Sequence, residues 1–156
     1  MDFAPIYDHP EHRQTVAQWL YEEFCVTDRA SVTLSDTNEK LKSRTNAFPY
    51  TYLALEDGEA VGTVTLYEND LKGSPFTPWL GSLVVAKPFR GRGIARALIA
   101  FVCGKARGMG YSELYLRTEH TAEYYEALGW EFVEKTVDPV YNLQTAVYRL
   151  DLEELQ

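Results

Sequence analysis

The sequence predicts an α+β domain in which a mixed, mostly antiparallel sheet of six or seven strands is flanked by about four helices. Three observations indicate this fold class. The apolar pattern switches between a period of about 3.6 and a period of 2, the first half contains a β-hairpin signal, and the second half runs strand, helix, strand, helix, strand. A length of 156 residues without a repeat or a long linker predicts a single domain over residues 1–156.

Two helices are predicted before the first hairpin. Within residues 12–25, the apolar residues Val16, Leu20 and Phe24 recur at helical spacing, and Pro10 stands near the helix start, where proline is tolerated. A second helix with a weaker pattern is predicted over Ser35–Arg44.

A β-hairpin is predicted next, followed by a loop and a further strand. Residues 51–56 and 60–68 have strand-like composition and are joined by Asp57-Gly58, a dipeptide typical of two-residue hairpin turns. Residues 69–78 contain the Gly, Ser and Pro of a loop. Trp79–Ala86 is predicted to form the strand after this loop.

Strands and helices alternate in the second half of the chain. One helical stripe is formed by residues spaced i, i+4, i+7 and i+8, namely Ile94, Leu98, Phe101 and Val102. Gly108 or Gly110 would end that helix. Residues 113–118 alternate as a strand, which a crossover would place parallel to the strand before the helix. A short helix over 121–128 and strands over 130–137 and 145–152 complete the domain.

Composition excludes several classes of protein. A net charge of −8 argues against nucleic-acid binding, which requires a basic face, and is compatible with cationic substrates. Neither a signal peptide nor an apolar stretch of 18 residues is present, so no membrane association is expected. Cys25 and Cys103 are interpreted as reduced core thiols, which favours a cytoplasmic protein, and no metal site is predicted.

A basic turn joins the strand at residues 79–86 to the following helix. Cations at a helix N-terminus oppose the helix dipole, and a bound anion would remove that conflict. Gly91 and Gly93 would let an anion reach the free backbone N–H groups of the first turn, and Arg90, Arg92 and Arg96 would supply countercharge. The turn therefore predicts a site for a phosphate or pyrophosphate.

Alternatives to this interpretation fit less well. A purely structural turn explains one glycine but not two glycines among arginines. The P-loop pattern GxxxxGK[ST] is absent, and the dinucleotide fingerprint G-x-G-x-x-G fails at Arg96, where its third glycine belongs.

A third pattern matches the turn. Residues 90–95, RGRGIA, read as R-x-x-G-x-A and resemble the GCN5-related N-acetyltransferase (GNAT) family. Residues 122–130, AEYYEALGW, are similar to a second segment of that family, and together the two cover Trp79–Phe132 closely. The resemblance implies a three-layer domain in which the two central parallel strands splay apart and hold acetyl-CoA between them.

The resemblance also implies roles for individual residues. Backbone groups of Leu83, Val84 and Val85 would bind the pantetheine arm like an added strand, and a strand N–H near Val85 would stabilise the oxyanion. Tyr125, four residues before Gly129, would protonate the leaving thiolate. The pyrophosphate would be held by Arg90, Gly91, Arg92, Gly93, Ile94 and Ala95.

The general base is not identified by the sequence. The candidates are Glu68, at the end of a predicted strand, and Glu119 and His120, just after another; a chain of water molecules is the alternative. Many family members have Asn where this chain has Glu119. We therefore hypothesise that Glu119 faces a cationic acceptor.

The activity implied by the resemblance is transfer of an acetyl group from acetyl-CoA to a primary amine of a small, cationic acceptor by direct attack. A protein N-terminus is a further possible acceptor, and the protein would be a monomer or homodimer. The alternative function is that of a non-catalytic acyl-CoA sensor or interaction module. Acceptor specificity would reside in Phe24–Tyr50 and Asn69–Pro78. Aromatic residues that would line an amine pocket, or else pack in the core, are Phe48, Tyr50, Phe76 and Trp79.

Overall fold

The computed structural model describes residues 1–154, and the last two residues of the predicted domain lie outside the described part. Within that part a seven-stranded sheet has the order β1-β2-β3-β4-β5-β7-β6. Only β4 and β5 pair in parallel, which confirms the mixed, mostly antiparallel sheet. The strands are β1 (Asp2–Pro5), β2 (Tyr50–Glu56), β3 (Glu59–Tyr67), β4 (Trp79–Val85), β5 (Glu113–Thr118), β6 (Glu131–Asp138) and β7 (Leu143–Asp151).

The α-helices of residues 1–154 are α1 (Arg13–Leu20), α2 (Leu34–Lys42), α3 (Ile94–Gly108) and α4 (Ala122–Ala127). The predicted first helix is α1 followed by a π-helical turn at Tyr21–Cys25. A capping box starts α2, because the Thr33 hydroxyl accepts from the Asp36 N–H while the Asp36 carboxylate accepts from the Thr33 N–H. The four predicted helices are thus confirmed.

The edge strand β1 was not predicted from the sequence. It pairs antiparallel with β2 from Asp2↔Leu55 to Pro5↔Tyr52. Four residues ending in Pro5 have too little apolar alternation to show a strand, and the pairing partner supplies the information that the local sequence lacks.

Parallel strands β4 and β5 meet at one end and separate along the rest of their length. Their register contains the single pair Trp79↔Tyr115, and the Tyr115 N–H donates to the Pro78 carbonyl at 3.0 Å. Beyond this point β4 stays paired with β3, and β5 stays paired with β7. The splay that the resemblance implied is therefore present, and it opens a cleft in the middle of the sheet.

A β-bulge distorts β4 beside this cleft. The β3–β4 register passes from Thr65↔Gly81 to Thr63↔Val84, so Ser82 and Leu83 both lie opposite the one residue between the two threonines. Ser82 has a φ of 52°, in the left-handed region that non-glycine residues seldom adopt. The bulge changes the direction of the β4 backbone where it borders the cleft.

Helices cover both faces of the sheet. On one face, Leu98 and Val102 of α3 pack with strand residues such as Ala54. On the other face, Val16 of α1 packs with Leu53, the neighbour of Ala54 in β2. Adjacent strand residues point to opposite faces, so the three-layer arrangement follows directly.

Both cysteines are buried and free, which confirms their interpretation as core thiols. No helix of residues 1–154 combines the length and the apolar character needed to cross a membrane.

Candidate active site

Two cavities lie along the opening in the sheet. The first, which we call the splayed cleft, has a volume of about 640 Å³ and is bordered by β4 residues 80–85, β5 residues 116–118, the glycine turn and α4. The second, called the side cavity, has a volume of about 530 Å³ and lies among the π-helical turn, α2 and the loops at 69–78 and 138–141. Both volumes are in the usual range for sites of small molecules.

The two cavities share a wall. Residues that border both are Phe24, Gly81, Ser82, Arg117 and Glu119. The β4 bulge thus stands between the two spaces, so groups bound in each could meet there.

The glycine turn at the end of the splayed cleft has the geometry of an anion site. Gly91 and Gly93 have φ values of 78° and 80°, which only glycine adopts without strain. Gly93 is the N-cap of α3 and has no side-chain cap, and the first helical bond runs from the Ala97 N–H to the Gly93 carbonyl at 3.1 Å. The N–H groups before Ala97 in the first turn are therefore free for a ligand.

The arginines of the turn divide into two groups. Arg90 lines the cleft and donates through Nε to the Val85 carbonyl at 2.9 Å. Arg92 does not line the cleft, because its guanidinium pairs with Glu56 at 3.3 Å. Arg96, one helical turn further on, does line it. The structure thus places Arg92, expected to hold a pyrophosphate, outside the wall of the cleft, and places Arg96 within it.

The other residues predicted to bind the cofactor line the splayed cleft. The cleft wall includes residues from both the strand and the turn, namely Leu83, Val84, Val85, Gly91, Gly93, Ile94 and Ala95. The edge of β4 that faces the gap carries backbone groups that β5 does not pair beyond Trp79. Such an edge accepts an extended ligand in the manner of an added strand.

The adjacent tyrosines of α4 have different environments, as expected for helix neighbours. Tyr125 is 9% exposed and its ring contacts Trp130, whereas Tyr124 is 39% exposed. Both line the splayed cleft. Burial, with Tyr124 nearby, raises the pKa of the Tyr125 phenol to about 12, so Tyr125 holds its proton throughout the physiological range.

Glu119 is enclosed in an ion-pair network. Its carboxylate accepts from Arg29 at 3.0 Å, from Arg117 at 3.4 Å and from the Thr145 hydroxyl at 2.7 Å. Arg117 in turn donates to Asp138 at 2.8 Å. Since both carboxylate oxygens of Glu119 already have cationic partners, the structure argues against the hypothesis that Glu119 binds a cationic acceptor, and against Glu119 as a free base.

The other two predicted bases are also poorly placed. Glu68 is exposed and lines neither cavity. His120 borders the splayed cleft, but its side chain is 71% exposed and its Nε2 is paired with Asp28 at 2.8 Å.

An acid that the sequence analysis missed lies at the shared wall. Asp70, two residues beyond Glu68, lines the side cavity. A Cβ built on Gly81 would lie 3.0 Å from the Asp70 carboxylate, so the carboxylate lies directly over the β4 backbone. Burial raises the pKa of Asp70 to about 7, against the opposing attraction of Arg117 and Arg29. A carboxyl that titrates near neutral pH is suited to take up a proton from a substrate.

Both segments expected to carry acceptor specificity contribute residues to the side cavity, but the aromatic residues that line it are not those that the sequence suggested. Phe24, Tyr67 and Tyr141 line it. The four aromatic residues that the sequence suggested pack elsewhere: Trp79 is fully buried, and Phe48, Tyr50 and Phe76 contact core clusters. The interpretation of those four as core residues is therefore the better one.

Three possible metal ligands that line neither cavity come together, although no metal site was predicted. Ligand atoms of His9, Glu11 and His12 lie within 4.8 Å of one another. His9 contacts Glu11 at 2.8 Å and His12 contacts the Gly58 carbonyl at 3.1 Å, so the group is also explained by its own hydrogen bonds.

Known proteins resemble this chain in sequence pattern and in fold. The sequence model of the Acetyltransferase (GNAT) family matches residues 9–130. No curated protein is similar enough in sequence to count as a match.

Solved structures share the fold at low sequence identity. An aminoglycoside 6'-N-acetyltransferase complexed with coenzyme A is 16% identical, with 97% of each chain covered and a TM-score of 0.78. The aminoglycoside 6'-N-acetyltransferase from Enterococcus faecium is 16% identical, with 97% of each chain covered and a TM-score of 0.74. A ribosomal-protein-alanine N-acetyltransferase from Brucella melitensis is 19% identical, covers 97% of this chain and 99% of its own, and has a TM-score of 0.69.

Proposed function

Because this chain belongs to the acetyltransferase (GNAT) family, and is thus an acetyl-CoA-dependent N-acetyltransferase, we propose that it acetylates a small primary amine held in the side cavity. The observation that carries this proposal is the shared wall between the two cavities. A cofactor in the splayed cleft and an amine in the side cavity would meet at Gly81 and Ser82, beside Asp70.

The splayed cleft fits coenzyme A in three respects. The glycine turn provides free N–H groups for a pyrophosphate, Arg90 and Arg96 provide positive charge, and the unpaired edge of β4 provides partners for the amide groups of pantetheine. The shared fold of a similar structure complexed with coenzyme A supports this assignment.

Asp70 is the general base of this proposal. An amine enters as a cationic ammonium group and must lose a proton before its nitrogen can attack the thioester carbonyl. Asp70, with a pKa of about 7, is ionised in a large part of the molecules at neutral pH and can accept that proton.

Tyr125 is the general acid. As the new C–N bond forms and the C–S bond breaks, the departing thiolate takes the phenolic proton of Tyr125. Because burial raises the pKa of Tyr125, the phenol stays protonated until the thiolate forms. After the attack the nitrogen carries one proton more than the amide product; it loses this proton as Tyr125 regains one, and Asp70 passes the first proton to water. Each turnover therefore releases one proton, as the conversion of an ammonium group and a thioester into an amide and a thiol requires.

A comparison of the two adjacent tyrosines tests this function. Thiol release from acetyl-CoA should be measured with an amine panel for wild type, Tyr125→Phe and Tyr124→Phe. We expect Tyr125→Phe to lower kcat at least about a hundredfold with an unchanged Kd for acetyl-CoA, and Tyr124→Phe to change kcat less than about threefold.

Other results would contradict the proposal in different ways. A larger loss of kcat in Tyr124→Phe than in Tyr125→Phe would show that Tyr124, and not Tyr125, is the general acid. Acetyl-CoA binding without thiol release for any amine, in wild type as in the variants, would favour the alternative of a non-catalytic acyl-CoA-binding module.

A further inference from the structure

The charges that line the side cavity differ in sign from the chain as a whole. The chain carries a net charge of −8, yet cations outnumber anions around this cavity. The cations are Arg29, Lys40, Arg44, Lys72 and Arg117, and the anions are Asp70, Glu119 and Asp138.

Part of this charge is neutralised within the protein. Arg29 pairs with Glu119 at 3.0 Å, and Arg117 pairs with Glu119 at 3.4 Å and with Asp138 at 2.8 Å. The remaining anion, Asp70, titrates near neutral pH and offers less than a full negative charge there. Glu119 and Asp138 are therefore paired with Arg29 and Arg117, and the other three cations have no ion-pair partner among the carboxylates that line the cavity.

Lys40, Arg44 and Lys72 are the cations that remain. None of the ion pairs found in residues 1–154 includes any of the three. Asp36, one turn before Lys40 on α2, interacts with it electrostatically but makes no ion pair with it. An anion that reaches these side chains would gain attraction without having to displace a protein carboxylate.

Arg44 is oriented by buried groups. Its Nε donates to the Thr51 hydroxyl at 3.0 Å, and that hydroxyl shares a hydrogen bond of 2.8 Å with Thr65. Both threonines are buried. The bond through Nε fixes the plane of the guanidinium and leaves its two terminal nitrogens, which match the two oxygens of a carboxylate.

Arg44 also lies near the reacting end of the cavity. Burial raises the pKa of Tyr67, and the charge of Arg44 opposes that rise, so Arg44 is within electrostatic range of this phenol. Tyr67 bonds to Ser82 at 2.7 Å, and its ring lies over Gly81 together with the Asp70 carboxylate. One small molecule could therefore reach both Arg44 and Asp70.

A buried atom of the cavity wall adds to the positive character. Arg117 is 7% exposed, and its Nη2 is buried without a hydrogen-bond partner among residues 1–154. An unpartnered guanidinium nitrogen favours a nearby anion over a nearby cation.

We propose that the acceptor is a small primary amine that also carries an anionic group, above all a carboxylate. Arg44 binds this anionic group together with Lys40 and Lys72, while the amine faces Asp70. This inference rests on the proposed acetyltransferase function. It excludes polycations of the aminoglycoside type as the preferred acceptors, despite the names of two similar structures.

Matched acceptors test the role of the anionic group. Amino acids are compared with the amines that lack their carboxylate: L-phenylalanine with phenethylamine, L-lysine with cadaverine, and β-alanine with ethylamine. O-phosphoethanolamine with ethanolamine tests a phosphate, and kanamycin and spermidine represent polycations. We expect kcat/KM to be about 10- to 100-fold higher for at least one anionic member than for its partner, as charge-assisted hydrogen bonds provide.

Variants then connect the preference to the cavity. Arg44→Gln should raise KM for the preferred anionic amine about tenfold or more, and Arg44→Lys should restore part of the loss. The matched amine without an anionic group should show an unchanged KM, as should acetyl-CoA. Lys42→Gln is the control, because Lys42 lies at the end of α2, pairs with Glu39 at 3.2 Å and does not line the cavity.

The two proposals fail in distinguishable ways. Preferential acetylation of kanamycin, spermidine or the amines without an anionic group would overturn this inference while leaving the acetyltransferase function intact. An equal KM increase in Arg44→Gln for both members of a pair would also overturn it. Absence of thiol release with every amine would contradict the proposed function itself.

Discussion

Replacement of Asp70 by Asn removes a carboxylate and keeps nearly the same side-chain shape. If Asp70 takes the proton of the acceptor ammonium, kcat should fall by about 10²- to 10⁴-fold, the usual contribution of a general base. In wild type, kcat/KM should rise with pH around the Asp70 pKa of about 7. The Asp70→Asn variant should lack this rise.

The same substitution should change how stability depends on pH. The pKa of Asp70 is raised from 3.8 to about 7 by burial, while Arg117 and Arg29 lower it and Glu119 and Asp138 raise it. A raised carboxyl pKa means that the folded state binds the proton more tightly than the unfolded state. The free energy of unfolding of wild type therefore decreases as pH rises from about 4 to about 7.

The magnitude follows from the two pKa values. Between pH 5 and pH 8, the ionisation of Asp70 should reduce the free energy of unfolding by up to about 2.5 kcal/mol, and by less to the extent that water reaches the carboxylate. The amide of the Asp70→Asn variant has no proton to lose, so the stability of this variant relative to wild type should increase by that amount over the same interval.

Urea denaturation at pH 5 and pH 8, together with pH–rate profiles, measures both effects. Glu68→Gln is the matched control, because Glu68 is exposed and lines neither cavity. It should leave kcat and the pH dependence of stability unchanged. A loss of kcat below threefold in Asp70→Asn would refute Asp70 as the base, and a stability difference independent of pH would refute its raised pKa.

Three further predictions concern the turn, the shared wall and the ion-pair network. Arg96→Ala should raise the Kd for acetyl-CoA about tenfold or more, whereas Arg92→Ala should change it less than threefold; isothermal titration would show the reverse order if Arg92 were the phosphate ligand. Gly81→Ala should lower kcat more than tenfold, because the new Cβ would lie 3.0 Å from the carboxylate of the proposed base. Gly104→Ala should keep full activity, because beyond its own helix backbone the new Cβ would have no neighbour within 4 Å. A normal kcat in Gly81→Ala would contradict the proposed position of Asp70. Glu119→Gln should reduce the free energy of unfolding by about 3 kcal/mol, since two arginines lose their shared partner; urea denaturation measures this, and a stable variant with a raised acceptor KM would restore the idea that Glu119 contacts the acceptor.

Short-range patterns explain why much of the fold and the glycine turn could be predicted. The glycine turn is encoded by neighbouring residues, because Gly91 and Gly93 adopt φ values that other residues avoid and Gly93 is the N-cap of α3. Strand and helix periods likewise depend on residues within a few positions. Such features need no knowledge of distant parts of the chain, and the structure places them as predicted.

The base could not be selected in this way. Asp70 is one of 23 acidic residues, and nothing in its local sequence separates it from Glu68. The difference arises when the loop after β3 folds back over Gly81 of β4, which leaves the Asp70 side chain half-buried and the Glu68 side chain exposed. Burial, which sets the pKa of a carboxyl, is a property of the assembled domain.

By itself the sequence indicated the order of the strands and helices after β1, the glycine turn at the start of α3 and the resemblance that led to the family, because each depends on local spacing. Only the tertiary structure decided which arginines of the turn line the cleft. It also enclosed Glu119 between Arg29 and Arg117 and brought Asp70 and Arg44 to one cavity. These decisions depend on contacts between segments far apart in the chain. The Arg29–Glu119 pair, which joins residues 90 positions apart, is such a contact, and no local pattern reports it.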